Sequence, residues 1–204
     1  MKKRIIFATG NAGKMREIHK IMEDLGLEII SMKEAGLNPE IIEDGATFAD
    51  NAEIKAKAVW ECSKGDIVLA DDSGLVIDYL NGEPGIYSAR YMGEDTSYDI
   101  KNANLIGRLD GAAEEERTAR FVCNIAAALP GGEILHTEAT MEGVIAHEPA
   151  GHGGFGYDPI LLLPEFGVTS AELTMEQKNA VSHRGKALEA MKKLLKERIV
   201  GEEK

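Results

Sequence analysis

Two adjacent carboxylates and a hydroxyl occur in the middle of the chain, in a pattern that suits metal and phosphate chemistry. They are Asp71, Asp72 and Ser73, and they directly follow the apolar segment 67–70, Ile-Val-Leu-Ala. Such a run predicts a buried strand. Because neighbouring side chains on a strand face opposite ways, we expect one carboxylate to point into a cleft and bind Mg²⁺ through oxygen. The alternative is a turn whose carboxylates cap backbone amides.

The first loop of the chain offers the complementary group, a site for an anion. A strand predicted over 4–8 leads into this loop, which consists of Thr9, Gly10, Asn11, Ala12, Gly13 and Lys14. Glycines let backbone amides approach an anion closely, and the helix predicted over 14–25 directs its positive end to the same place. The pattern indicates polyphosphate binding, although a plain strand-to-helix turn would also account for the glycines. It is not a Walker A motif, because Met15 replaces the metal-binding serine or threonine.

Two later segments carry side chains suited to a nucleotide. Phe155 lies between glycines, so its ring could stack on a nucleobase or instead pack on the core. Lys178, His183 and Arg184 lie near the beginning of the predicted last helix, where cations are unfavourable unless an anion or carbonyl compensates them. His183 and Arg184 are suitable donors to a keto oxygen, and Lys178 to a phosphate. Glu43 is a second candidate metal ligand, although alone it could be a solvated acid.

Composition sets the class of protein. A chain of 204 residues with 44% hydrophobic and 28% charged residues can bury a real core, which predicts one domain over 1–204 with two lobes. The net charge of −12 argues against nonspecific nucleic-acid binding. The two cysteines, Cys62 and Cys123, lack the spacing of a zinc site and are expected to be reduced core residues. Only four apolar residues follow the basic N-terminus, too few for a signal peptide or membrane span, so we expect a cytoplasmic protein.

The order of the predicted elements is that of a mixed α/β protein. Strands alternate with helices in the first part of the chain, and 118–129 and 133–145 resemble a hairpin, although alanines make the first of them ambiguous. The last helix carries an apolar stripe, formed by Ala187, Leu188, Met191, Leu194, Leu195 and Ile199. We therefore expect a two-lobed α/β fold with a curved mixed sheet, flanking helices and a central substrate cleft.

Six segments form an ordered set along the chain: TGNAGK (9–14), FADNAEIKAKA (48–58), ADDSGL (70–75), PGIYSARY (84–91), GGFGYDP (153–159) and SHRGKAL (182–188). Together they resemble the inosine triphosphate pyrophosphatases, also called non-canonical purine nucleoside triphosphate pyrophosphatases. Each alone is a weak signal, but the ordered set spans nearly the whole chain. The resemblance implies a homodimer that hydrolyses ITP, dITP and XTP to the monophosphate and pyrophosphate with Mg²⁺, and so removes deaminated purines from the nucleotide pool.

The resemblance also assigns roles by position. Asp72 matches the catalytic carboxylate and metal ligand, and Glu43 matches the other acid of the metal. Thr9 to Lys14 would hold the triphosphate, with Lys55 as a further phosphate contact and Ser73 as a substrate contact. The remaining nucleotide-binding residues would be Phe155, Gly156, Tyr157, Asp158, Lys178, His183 and Arg184. The alternatives are a kinase or phosphomonoesterase, and a non-catalytic purine nucleotide sensor that would keep Lys14 and the Phe155 loop but tolerate loss of Asp72.

Overall fold

The computed structural model describes residues 4–63 and 65–201, with only the backbone of 199–201, so the side chain of Ile199 lies outside the described part. Its strands form one sheet in the order β2-β1-β3-β4-β5-β6-β7. The strands are β1 (Arg4–Phe7), β2 (Glu28–Ser31), β3 (Ile67–Ile77), β4 (Thr118–Ala128), β5 (Ile134–Ile145), β6 (Leu161–Leu163) and β7 (Val168–Thr169). The α-helices are α1 (Ala12–Met22), α2 (Phe48–Cys62), α3 (Tyr98–Arg108), α4 (Met175–Val181) and α5 (His183–Gly201).

The sheet is mixed. β1 runs parallel to both β2 and β3, with Ile6 opposite Ile30 on one side and Val68 on the other. β6 pairs antiparallel with β5 and with β7. The predicted α/β class with a mixed sheet and flanking helices is confirmed. The predicted hairpin is confirmed too: β4 and β5 are neighbours in the sheet, and the Leu129 N–H donates to the Glu133 carbonyl at the turn between them.

The chain divides into two compact units. Unit 1 comprises Met1–Asp72, Cys123–Ala139 and Arg184–Lys204, and unit 2 comprises Ser73–Val122 and Thr140–His183. Each has its own hydrophobic core, with α1 and α5 contributing to unit 1 and α3 to unit 2. The predicted substrate cleft and the assignment of 1–204 as one domain stay predictions.

Within unit 1, side chains of β3 alternate between two clusters of the core. Ile67 and Leu69 pack with residues of α1 and α5, whereas Val68 and Ala70 pack with residues of α2. Extended chain sends successive side chains to opposite faces, so this register continues into the two aspartates. It directs Asp71 toward α1 and α5, and Asp72 toward α2.

Three details differ from the sequence-based expectation or extend it. α1 begins at Ala12, before the predicted Lys14, because the Asn11 side chain caps the helix.

Cys123 is buried as expected, but the prediction for Cys62 was wrong: it lies exposed at the end of α2. Among the described residues, no helix combines the length and the apolar character needed to cross a membrane.

Candidate active site

The loop after β1 lies beside the first half of β3, because the two strands are parallel neighbours and the Ala8 N–H donates to the Leu69 carbonyl at 2.7 Å. Asn11 Oδ1 accepts hydrogen bonds from the backbone N–H groups of Gly13 and Lys14, at 2.8 and 3.2 Å. This cap engages two of the amides that the sequence assigns to a phosphate. A Cβ at Gly10 would meet nothing within 4 Å, so close packing does not require this glycine. The open space there is compatible with an anion.

Asp71 holds two cations on one face of β3. Lys14 Nζ donates to both carboxylate oxygens, at 3.0 and 2.9 Å, and Arg184 Nε and Nη2 both donate to Oδ2 at 3.3 Å. Arg184 Nη1 also donates to Glu17 Oε2 at 2.9 Å. Burial would raise the pKa of Asp71, but the charges of Lys14 and Arg184 outweigh it and hold the pKa well below its usual range. Asp71 is therefore a carboxylate at neutral pH, paired with both cations.

Asp72 faces the other way, toward α2. Lys55 Nζ donates to Asp72 Oδ1 at 3.3 Å and to Glu43 Oε2 at 3.1 Å, while Asn51 Nδ2 donates to Asp72 Oδ2 at 3.2 Å. Burial raises the pKa of Asp72, and the charge of Lys55 opposes this shift. For Lys55, burial lowers the pKa, but Asp72 and other nearby carboxylates outweigh it and raise the pKa. The two aspartates thus differ in partners and in the direction of their pKa shifts.

The group around Asp72 has the chemistry of a site for a hard cation. Glu43 and Asp72 both direct an oxygen to the Lys55 ammonium, so the two carboxylates already converge on a positive charge. In the described part of the chain, no group of three or more His, Cys, Asp or Glu side chains could hold a metal ion. Mg²⁺ is commonly bound through one or two carboxylates, with waters and substrate phosphates as its other ligands. The pair of acids fits that pattern.

Asp158 organises a second group, which lies in unit 2. Its Oδ2 accepts from the Phe155 backbone N–H at 2.8 Å and from Lys178 Nζ at 2.6 Å, and its Oδ1 accepts from Ser170 Oγ at 2.8 Å. Lys178 Nζ lies 5.3 Å from the centroid of the Phe155 ring. Phe155 is 40% exposed, so the ring does not plug the loop into the core. An exposed ring beside a buried ion pair is suited to stacking.

The other predicted residues of unit 2 are more closely built into the fold. Tyr157 is buried, its hydroxyl donates to the Ser88 carbonyl at 2.7 Å, and its ring meets Tyr98 edge to face. The Gly156 carbonyl accepts from Asn102 Nδ2 at 3.2 Å. The His183 ring stacks on Phe121, with the ring centroids 4.9 Å apart. The packing of Tyr157 and His183 limits how much of either side chain a ligand could contact.

The predicted site residues thus fall into two groups. The group of unit 1 contains Thr9 to Lys14, Glu43, Lys55, Asp72 and Arg184. Unit 2 contains Ser73, Phe155 to Asp158, Lys178 and His183. Their assignment to substrate and metal stays a prediction.

Two residues that contact the groups of unit 1 were not among those predicted from the sequence. Glu17 binds Arg184, and Asn51 binds Asp72. A signal existed for both in the helical spacing: Glu17 lies three residues after Lys14, and Asn51 lies four residues before Lys55. Residues three or four apart on a helix share a face. Each was therefore placed on the same side of its helix as a predicted site residue.

Comparison with known proteins gives concordant results. The Ham1 family matches residues 5–194. The dITP/XTP pyrophosphatase of Desulforamulus reducens is 46% identical over 200 residues, which are 98% of this chain and 99% of the relative. The enzyme of the same name from Geobacillus kaustophilus is 50% identical over 187 residues, 91% of each chain. The Ham1 protein of Staphylococcus aureus has a similar structure, with a TM-score of 0.87 and 38% identity over 96% of this chain and 100% of that one. The resemblance inferred from the six segments is confirmed.

Proposed function

Since the chain belongs to the Ham1 family, we propose that it hydrolyses the non-canonical purine nucleoside triphosphates ITP, dITP and XTP to the monophosphate and pyrophosphate. The observation that carries the proposal is the middle of β3, where Asp71 holds Lys14 and Asp72 faces Lys55 and Glu43. Two lysines and three carboxylates lie close together there within unit 1, which supports a site for phosphate and a metal ion. Relatives named dITP/XTP pyrophosphatase, at 46% and 50% identity, support the choice of substrate. The proposed biological role is removal of deaminated purines from the nucleotide pool.

In the proposed reaction a water oxygen attacks the α-phosphorus, and the bond from that phosphorus to the oxygen bridging to the β-phosphate breaks. Negative charge then grows on the leaving pyrophosphate and on the nonbridging oxygens. Lys14 and Lys55 stabilise it, because fixed charges aimed at developing charge lower the barrier. Asp72 orients the attacking water, whose proton passes to solvent as the new bond to the α-phosphorus forms. Asp71 takes no proton in this scheme, since its depressed pKa suits it to holding Lys14 in place.

We propose Mg²⁺ as the cofactor, held by Glu43 and Asp72. When bound, it would neutralise phosphate charge and lower the pKa of a coordinated water. The support is the convergence of both carboxylates on the Lys55 ammonium. Lys55 would keep the two acids close together by offsetting their mutual repulsion.

Selectivity for deaminated purines would come from hydrogen-bond donors. Hypoxanthine and xanthine carry a keto acceptor at the position where adenine carries an amino donor, so donors from His183 and Arg184 would favour the former. Phe155 would stack on the base. Arg184 donates to Asp71 and Glu17 through Nε, Nη1 and Nη2. Base recognition by Arg184 would therefore have to coexist with these bonds or exchange one of them.

The experiment is an assay over a panel of ITP, dITP, XTP, GTP and ATP, with released pyrophosphate and orthophosphate measured separately. We expect pyrophosphate from the first three, little product from ATP, and loss of activity on addition of a chelator. Orthophosphate alone would indicate a phosphomonoesterase. Nucleotide binding without either product would indicate the non-catalytic sensor. Asp72→Asn is the matched control. A sensor would still bind nucleotide after this change, whereas a pyrophosphatase would lose its release of pyrophosphate.

We also propose a homodimer, as the resemblance to the family implies. Light scattering coupled to gel filtration should give twice the chain mass of 22.1 kDa. A mass of one chain at micromolar concentration would contradict this proposal without affecting the assignment of the reaction.

A further inference from the structure

Asn51 is a fully buried amide on the core-facing side of α2. Its exposure is 0%, and the buried residues that follow it on the helix are Ala52, Ala56 and Val59. A polar side chain among apolar neighbours is costly unless its donor and its acceptor both find partners. This position therefore requires a polar side chain with hydrogen-bond partners, and packing alone does not explain that requirement.

Both polar atoms of the amide have partners, and these lie in two different segments of unit 1. Asn51 Nδ2 donates to Asp72 Oδ2 at 3.2 Å, and Asn51 Oδ1 accepts from the Gly45 backbone N–H at 2.9 Å. An amide supplies a donor and an acceptor on one small planar group. Leucine would fill a similar volume with neither, and aspartate would retain only the acceptor. The chemistry of asparagine thus matches the two partners.

The backbone that Asn51 holds is the loop that carries Glu43. Gly45 lies two residues after Glu43, and a Cβ at Gly45 would come within 2.6 Å of Asp50 Cβ and 2.7 Å of Asn51 Oδ1. The loop therefore packs directly on the beginning of α2. The Asp50 carboxylate reinforces it by accepting from the backbone N–H groups of 46–47, at 3.1 and 3.0 Å.

We propose that Asn51 is a positioning residue that ties the Glu43 loop to Asp72 and so sets the separation of the two carboxylates for a divalent cation. The inference rests on the proposed function, because Glu43 and Asp72 are its proposed metal ligands. Lys55, one helical turn later, contacts both carboxylates from the same helix. Asn51 differs from Lys55 because it binds the backbone of the loop at Gly45. This contact fixes the position of the backbone that carries the Glu43 side chain.

The test compares Asn51→Ala with the unaltered protein by calorimetric titration with Mn²⁺ in the absence of nucleotide, and by steady-state kinetics with dITP. Partners that orient a metal ligand typically contribute about 10- to 100-fold to affinity or activity, so we expect losses of that size in Mn²⁺ affinity and kcat. KM for dITP should change by less than about 3-fold, because Asn51 itself does not contact the nucleotide in the proposed mechanism. Val59→Ala is the control: it removes buried volume from the same helix, and Mn²⁺ affinity should be retained.

Equal Mn²⁺ affinity in Asn51→Ala and the unaltered protein would overturn the proposal, as would absence of Mn²⁺ binding by the unaltered protein. If Asn51→Ala does not fold, Asn51→Ser replaces it, because serine is too short to reach both Gly45 and Asp72. Failure of both to fold would assign Asn51 to the fold alone and also overturn the inference. The proposed function fails separately, if the unaltered protein releases no pyrophosphate while the loss of Mn²⁺ affinity in Asn51→Ala is observed.

Discussion

Replacement of Asp71 by asparagine should destabilise the protein, because it leaves two cations without their shared anion. Asp71 is 1% exposed at its side chain, and it binds Lys14 through both oxygens and Arg184 through Oδ2. Asparagine keeps the size of the side chain and removes the charge. The change therefore tests electrostatics with little effect on packing.

The expected loss in the free energy of unfolding depends on how well each cation can find other partners. Loss of one member of a buried ion pair costs about 3–5 kcal/mol. The Lys14 side chain is 20% exposed and can turn toward water, whereas Arg184 is 4% exposed but retains its bond to Glu17. Both features place the loss in the free energy of unfolding near the lower limit of this range, at about 3 kcal/mol. For a chain of this length that corresponds to a fall in Tm of about 6–12 °C.

The assay is thermal unfolding of both proteins by calorimetry over a series of pH values. The folded-state pKa of Asp71 lies below its ordinary value of 3.8, so its contribution to stability is present above pH 3.8 and is lost as the pH falls through the folded-state pKa. The difference between the two proteins should be constant around neutral pH and shrink in acid. An asparagine variant as stable as the original at pH 7 would refute this account of Asp71, and so would a difference that is unchanged in acid.

Three further substitutions test the other charged groups. Asp72→Asn should lower pyrophosphate release at least about 100-fold without lowering Tm at pH 7, because burial raises the pKa of Asp72 and thus penalises its charged form; substantial residual activity would contradict its assigned role. Arg184→Ala should lower kcat/KM for ITP far more than for ATP, whereas equal losses in the panel assay would mean that Arg184 serves only as a charge. Lys178→Met should cost about 3 kcal/mol in denaturant unfolding, because Asp158 is 5% exposed and loses its cation; an unchanged midpoint would show that Phe155 N–H and Ser170 suffice.

Much of unit 1 could be predicted because its pattern is local. The apolar run before Asp71 predicted a buried strand, and the alternation of side chains on that strand correctly indicated that the two aspartates face opposite ways. The hairpin of β4 and β5 was harder, since alanine favours helices. Its alanines are tolerated because Ala126 and Ala128 are fully buried in a core cluster of unit 1. There tertiary packing outweighs local propensity.

The partners within the site could not be predicted, because they depend on contacts between distant segments. The sequence assigned Lys14 to phosphate, but its nearest anion in the fold is Asp71, 57 residues later. Arg184 finds Glu17 across 167 residues. Lys178, likewise assigned to phosphate, pairs with Asp158. In each case the sequence indicated a cation in need of an anion, and the fold supplies one before any substrate binds.

These internal partners have a consequence for how an anionic substrate could be bound by an acidic chain. With a net charge of −12, a free cation at the surface would be weakly held and surrounded by competing acids. Pairing with the buried Asp71 holds Lys14 at the end of the loop 9–14, where we propose that the triphosphate binds, so that binding costs little side-chain entropy. A phosphate would then share that ammonium with Asp71 and would not need to displace it, because an ammonium carries three donors. Asp72 cannot play the same part, because it lies on the other face of the strand, where it accepts hydrogen bonds from Asn51 and Lys55 of α2.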